Sequence, residues 1–130
     1  EYNRNQSNDV PIFRFADIIL TKAEALLRGA RATNADTPES LLNQIRAYVH
    51  AAKFVGTPKL QDILDERGRE FVDENWRRND MIRFGTFESE YGFHLKGFPG
   101  ARFDKSCRIL PVPKAIMDEN QNWEQNEGYK

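Results

Sequence analysis

A chain of 130 residues with 39% hydrophobic and 30% charged content has the make-up of one ordinary domain and lies outside the disordered range. Its 19 basic and 20 acidic residues leave a net charge of −1, so no basic excess argues for nucleic acid. No apolar run is long enough for a membrane-spanning helix, and one cysteine, Cys107, cannot form an internal disulfide. The start at Glu1, with no initiator Met and no signal-like segment, gives the expectation of a processed or truncated piece of a longer protein.

Residues 1–9 are polar and aperiodic, and Val10-Pro11-Ile12-Phe13 reads as a short extended entry. From Arg14 the apolar positions recur at steps of three and four: Phe15, Ala16, Ile19, Leu20, Ala23, Leu26, Leu27 and Ala30. This spacing predicts an amphipathic helix ending near Gly29, with Asp17, Lys22, Glu24 and Arg28 on or beside its polar side. Residues 30–36 form a loop. Thr37-Pro38 then opens a second helix, Thr as N-cap and Pro at the first helical position, with Leu41, Leu42, Ile45, Tyr48, Val49 and Ala52 as its buried stripe. The short connection predicts an αα-hairpin over residues 14–53.

Thr57-Pro58 repeats the same start signal. A third helix is expected to turn Leu60, Ile63, Leu64, Arg67, Phe71 and Asn75 to one side, with a bend at Asn75. A shorter fourth helix covers residues 76–84, and Gly85 sits at a left-handed C-terminal cap. Residues 86–106 lack a helical period and carry Phe87, Tyr91, Phe93, Phe98 and Phe103 among glycines and a proline. Such a loop packs over the helices or is functional. Arg108–Val112 reads as extended, residues 113–118 as one or two helical turns, and the tail as an Asn/Gln-rich segment with Trp123 and Tyr129 as anchors. The expectation is thus a single, mainly α domain: a hairpin at 14–53, helices over 58–85 and an irregular region over 86–130.

The stretch from Leu64 to Gly85 concentrates the charge. It holds eleven charged residues, five of them arginines, interleaved with Phe71, Val72, Trp76, Met81, Ile82 and Phe84. A glycosidase needs two carboxylates facing each other across a cleft. Here Asp65–Arg69, Arg69–Asp73, Asp73–Arg77 and Glu74–Arg78 are four apart, and Arg67–Glu70, Arg77–Asp80 and Asp80–Arg83 three apart. On a helix those offsets make ion pairs, so the residues read as a structural ladder and no catalytic residue is assigned. Had the carboxylates been catalytic, Glu70→Gln and Asp73→Asn would abolish turnover and leave stability intact. His50 and His94 have no ligand partners at metal-binding spacing, Cys107 has no base nearby, and no phosphate-cradling glycine motif occurs. No metal or cofactor is therefore expected, and no ligand-binding residue is assigned.

The order of motifs is more telling than any one of them. Arg14-Phe15-Ala16-Asp17-Ile18-Ile19-Leu20 with Lys22-Ala23-Glu24-Ala25-Leu26 resembles the "RyADvLLmkAEAL" helix of SusD/RagB-type proteins. Leu42-Asn43-Gln44-Ile45-Arg46-Ala47 is similar to that family's "iNqvRaRA". ILDERGRE (63–70) and RRNDMIRFG (77–85) resemble "iLdERrrEl…eghRwfDLiRfG", and RILPVP (108–113) with NQNWEQNEGY (120–129) resembles "lfPIP…NpnlkQNpGY". The resemblance covers about residues 10–129. The chain departs from it in a longer loop at 30–36 and at 76–79, where the family usually has Gly and an aromatic.

The resemblance implies the C-terminal part of a longer lipoprotein, whose lipid anchor and N-terminal part lie outside this chain. It also implies that the first two helices are a tetratricopeptide-like hairpin, part of a scaffold that faces a SusC-like, TonB-dependent transporter. The implied role is non-enzymatic: capture of oligosaccharide at the surface of the outer membrane and its delivery to that transporter. The alternative is a helical protein–protein interaction module without sugar binding. Either way, the 64–85 segment is expected to tie the hairpin to the aromatic loop.

Overall fold

The computed structural model describes residues 12–88 and 105–129. It is mainly α, with five α-helices: α1 (Phe15–Leu27), α2 (Pro38–Tyr48), α3 (Leu60–Glu70), α4 (Arg77–Phe84) and α5 (Lys114–Glu119). A 3₁₀ turn spans Lys105–Arg108, and no strand occurs among the described residues. The chain divides into two compact units, Glu1–Arg77 and Arg78–Lys130.

In the first unit α1 packs against both α2 and α3. Its core comes from all three helices: Ile19, Leu20 and Ala23 from α1, Leu41, Leu42 and Ile45 from α2, and Ile63 and Leu64 from α3, with Phe71 just beyond. These are the positions that the three-and-four spacing picked out. The ends of the stripes differ from expectation. Phe15 is 72% exposed and Tyr48 87% exposed, while Val49 and Ala52 also face outward. Each lies at or beyond a helix terminus, where the neighbouring helices do not reach.

The helix ends follow local chemistry. The Thr37 hydroxyl accepts from the Ser40 backbone N–H at 3.1 Å, and the Ser40 hydroxyl accepts from Thr37 N–H at 2.9 Å, so two unpaired donors at the start of α2 are satisfied. α3 begins later than the Thr57-Pro58 signal suggests. The Asp62 carboxylate accepts from the Lys59 backbone N–H at 2.7 Å, which places the cap at Lys59. At the end of α1, Gly29 takes φ 96°, Gly29 N–H bonds Leu26 C=O at 3.1 Å and Ala30 N–H bonds Ala25 C=O at 2.9 Å. This is a Schellman ending.

The same pair of bonds closes α2, His50 N–H to Ala47 C=O at 3.2 Å and Ala51 N–H to Arg46 C=O at 2.8 Å. There the left-handed position is filled by exposed His50 at φ 56°. A side chain in that conformation costs about 1 kcal/mol that glycine avoids. His50→Gly is therefore expected to raise stability by roughly 0.5–1 kcal/mol in urea denaturation. A loss would show that the imidazole has a contact of its own.

In the second unit α4 ends as the sequence suggests, with Gly85 at φ 73° and Thr86 N–H bonded to Met81 C=O at 2.9 Å. Residues 110–113 belong to no helix or strand. The Gln125 side-chain amide takes the place of a strand neighbour, accepting from Val112 N–H at 2.8 Å and donating to Val112 C=O at 2.9 Å. Asn126 Nδ2 donates to Leu110 C=O at 2.7 Å. Of the expected aromatic loop, Phe87 is half-buried with the Arg78 guanidinium 5.3 Å from its ring centroid, whereas Tyr91, Phe93, His94, Phe98 and Phe103 lie outside the described residues. Trp123 is about half exposed.

Candidate functional site

The first unit gathers its charge around α3, but not as a ladder along one helix. Arg67 is buried on the side of α3 where the spacing placed it. It lies among apolar positions, its side chain is 1% exposed, and its Nη1 donates to Asp17 Oδ1 of α1 at 2.7 Å. Its guanidinium carbon lies 4.9 Å from the Phe71 ring centroid and 5.9 Å from that of Trp76. Asp17, expected on the polar side of α1, is buried because its partner is buried.

Glu70 and Glu74 turn away from the arginines of their own segment and take Arg14. Nε and Nη2 of Arg14 donate to the two carboxylate oxygens of Glu74 at 3.0 and 2.8 Å, a forked pair. Nη1 donates to Glu70 Oε1 at 2.9 Å, and Nη2 also donates to the Glu70 backbone C=O at 2.8 Å. The hydrogen bond that Arg14 donates to Glu74 leads the interactions that hold Arg14 above its ordinary pKa. The Arg14 guanidinium also sits 4.9 Å from the Phe71 centroid, and Phe13 stacks at a tilt on Trp76 with centroids 5.5 Å apart. Buried Glu66 lies between Arg46 at 2.9 Å and Arg69 at 2.5 Å.

The expected ladder is corrected accordingly. Asp80–Arg83 forms at 2.9 Å. Arg69 pairs with Glu66, not with Asp65 or Asp73, and Asp65 accepts from Gln61. Arg77 donates to the Leu64 backbone C=O at 2.9 Å, and its Nη1 lies 2.8 Å from where a Cβ on Gly68 would stand. Arg78 donates to the carbonyls of Cys107 and Arg108 at 2.7 and 2.9 Å. Within α3, Arg69 takes buried Glu66 in place of Asp65; for Arg69–Asp73, Asp73–Arg77 and Glu74–Arg78 the physical reason is the end of α3 at Glu70. Left-handed Asp73 and Asn75 break the helical register, so offsets of three and four across that turn no longer face each other.

Removing Arg14 tests this clasp. The guanidinium is one-third exposed, which weakens each bond through solvent screening. Arg14→Ala is expected to lower stability by about 1–2 kcal/mol in chemical denaturation, with Arg14→Lys losing nearly as much because an ammonium cannot fork. Equal stability of the lysine variant and the parent would show that charge alone matters.

The second unit holds another forked pair, Arg108 with Glu88, Nη2 to Oε2 at 2.8 Å and Nε to Oε1. The hydrogen bond from Arg108 is the main cause that holds the Glu88 carboxyl below its ordinary value of 4.5. A carboxyl depressed in the folded state lends stability above its ordinary value, and that contribution is lost as pH falls through the folded value. In an NMR titration the Glu88 midpoint is expected below 4.5 and should rise in Arg108→Ala. A midpoint indifferent to that substitution would show the pair to be open in solution.

Next to the α3 cluster, α1 and α2 leave a groove of about 440 Å³. Phe15, Ala16 and Ile19 line one side and Gln44, Ile45 and Tyr48 the other, with Arg14 and Glu70 also bordering it. The groove is predominantly apolar, and the charged groups at its border are engaged with one another. Glu66 and Glu70 of α3 thus point into arginines rather than across a cleft, which is the geometry of structural salt bridges. Among the described residues no three His, Cys, Asp or Glu side chains converge on a metal position. Cys107 is half-buried and His50 is an exposed helix cap. The groove was not anticipated from sequence, since Phe15 and Tyr48 carried the pattern of core residues.

A helical unit of this kind, with the ordered motifs that build it, matches the family model described as "SusD family" over residues 1–129. The chain belongs to the SusD family. It is similar to the Starch-binding protein SusD of Bacteroides thetaiotaomicron, with 35% identity over 125 residues, 94% of this chain and 22% of that protein. The chain therefore spans about a fifth of the length of that curated relative.

Proposed function

We propose that this chain is the C-terminal helical portion of a longer, non-enzymatic glycan-binding protein of an outer-membrane uptake system. The observation that carries the reading is membership of the SusD family together with 35% identity to a starch-binding protein. In this reading the full-length protein is lipid-anchored at the cell surface and takes oligosaccharide to a SusC-like, TonB-dependent transporter. The hairpin of α1 and α2 is a tetratricopeptide-like element of its scaffold. The charged residues Asp65, Arg69, Glu70, Asp73, Glu74, Arg77, Arg78, Asp80 and Arg83 serve architecture rather than chemistry. No helix among the described residues is long and apolar enough to cross a membrane.

The test uses the full-length gene product. Purified from membranes, it should bind oligosaccharide in calorimetry without hydrolysing it, and it should co-purify with a TonB-dependent transporter. Absence of any glycan affinity together with absence of the transporter would overturn the reading.

A further inference from the structure

We propose that the recess between the C-terminal end of α2 and α3 binds the carboxylate group of a small organic acid, with Arg69 as the arm that takes it. The proposal goes beyond the uptake reading and does not depend on it.

The first observation is a surplus of donors. Nε and Nη2 of Arg46 reach Glu66 Oε2 at 3.1 and 2.9 Å, and Nε and Nη2 of Arg69 reach the same oxygen at 3.2 and 2.5 Å. A carboxylate oxygen has about two lone-pair sites, so one guanidinium saturates it and the second is in excess. The two arginines differ in what else holds them. The Arg46 side chain is 20% exposed, donates from Nη1 to the Ala52 C=O at 3.2 Å, and has its guanidinium carbon 5.6 Å from the Phe54 centroid. Arg69 is 59% exposed, and among the described residues its guanidinium has no acceptor besides Glu66. Arg69 can therefore swing away without stranding the buried carboxylate, because Arg46 stays on it.

The second observation is where this surplus stands. A recess of about 490 Å³ is lined by Arg46, Glu66, Arg69 and Glu70 and by the small apolar side chains of Val49, Ala51 and Ala52. Of these groups Glu70 is already engaged by Arg14 at 2.9 Å, which leaves two guanidiniums against one carboxylate. Lys53 lines an adjoining recess with Arg46 and Ala51, and so adds a cation next to the first.

These features select the ligand. One surplus positive charge suits a monoanion. The Nε–Nη2 edge of Arg69, once turned from Glu66, presents two parallel N–H groups, and these match the two oxygens of a planar carboxylate. Val49, Ala51 and Ala52 offer contact to a carbon skeleton rather than to a hydrated inorganic ion. The class is an organic monocarboxylate.

Phenylglyoxal, which modifies accessible guanidiniums, tests this on the unsubstituted full-length gene product, with Arg69 followed by peptide mass spectrometry and glucuronate as the probe. Arg69 should be modified, and glucuronate in large excess should slow that modification about tenfold, whereas glucose or inorganic sulfate should not. In calorimetry, Arg69→Ala should weaken glucuronate binding by about tenfold or more. An Arg69 that resists modification without any ligand would overturn the proposal, because the recess would then be closed. Modification at one rate with and without glucuronate, equal slowing by sulfate, or glucuronate binding indifferent to Arg69→Ala would each overturn it as well. The labelling involves neither oligosaccharide nor transporter, so its result and that of the uptake reading stand apart.

Discussion

Arg67→Ala is expected to cost about 3–5 kcal/mol of stability, the effect of leaving a buried charge without its partner. The side chain is 1% exposed and its guanidinium meets Asp17 at 2.7 Å. Removal strands the Asp17 carboxylate inside the α1–α3 interface and empties the space beside Phe71 and Trp76. A domain of this size has about 5–15 kcal/mol in total, so the variant should sit near the threshold of folding. Arg69→Ala is the control. That side chain also pairs with a buried carboxylate but is 59% exposed, and Glu66 keeps Arg46, so less than about 1 kcal/mol should be lost. Comparable losses for the two substitutions in urea denaturation would show that burial does not decide the strength of these pairs.

Leu20→Ala should cost about 2–5 kcal/mol. Leu20 is fully buried on α1, the helix that packs against both α2 and α3, so a cavity there touches the whole first unit. The urea midpoint should fall with an unchanged slope, since the same surface is still exposed on unfolding. A loss under about 1 kcal/mol would mean that the helices collapse into the void.

Much of the architecture was legible because it follows from local rules. Thr37-Pro38 marks the start of α2, Gly29 and Gly85 mark left-handed endings, and the three-and-four spacing found Leu20, Leu42 and Ile63. Two helix boundaries show where local rules compete. Thr57-Pro58 has the form of a start, yet the Asp62 side chain caps Lys59 instead. His50 caps α2 without the glycine that advertises such a position. The charged cluster was legible in kind but not in pairing. Sequence offsets see neighbours on one helix, whereas Arg67–Asp17 and Arg14–Glu70 join different segments. Nothing short of tertiary structure reveals them. The groove escaped for a related reason, since periodicity says which residues are apolar but not which neighbouring helix is present to cover them.

The clasp formed by Arg14 has a kinetic side. It joins residues 56 and 60 positions apart in the chain, so the loop it closes must already be drawn together before its bonds can form. Such contacts belong to the late part of folding. The arginine then acts less as a guide to the native state than as a brake on leaving it: its loss should shorten the lifetime of the folded unit while leaving the rate of its formation almost unchanged.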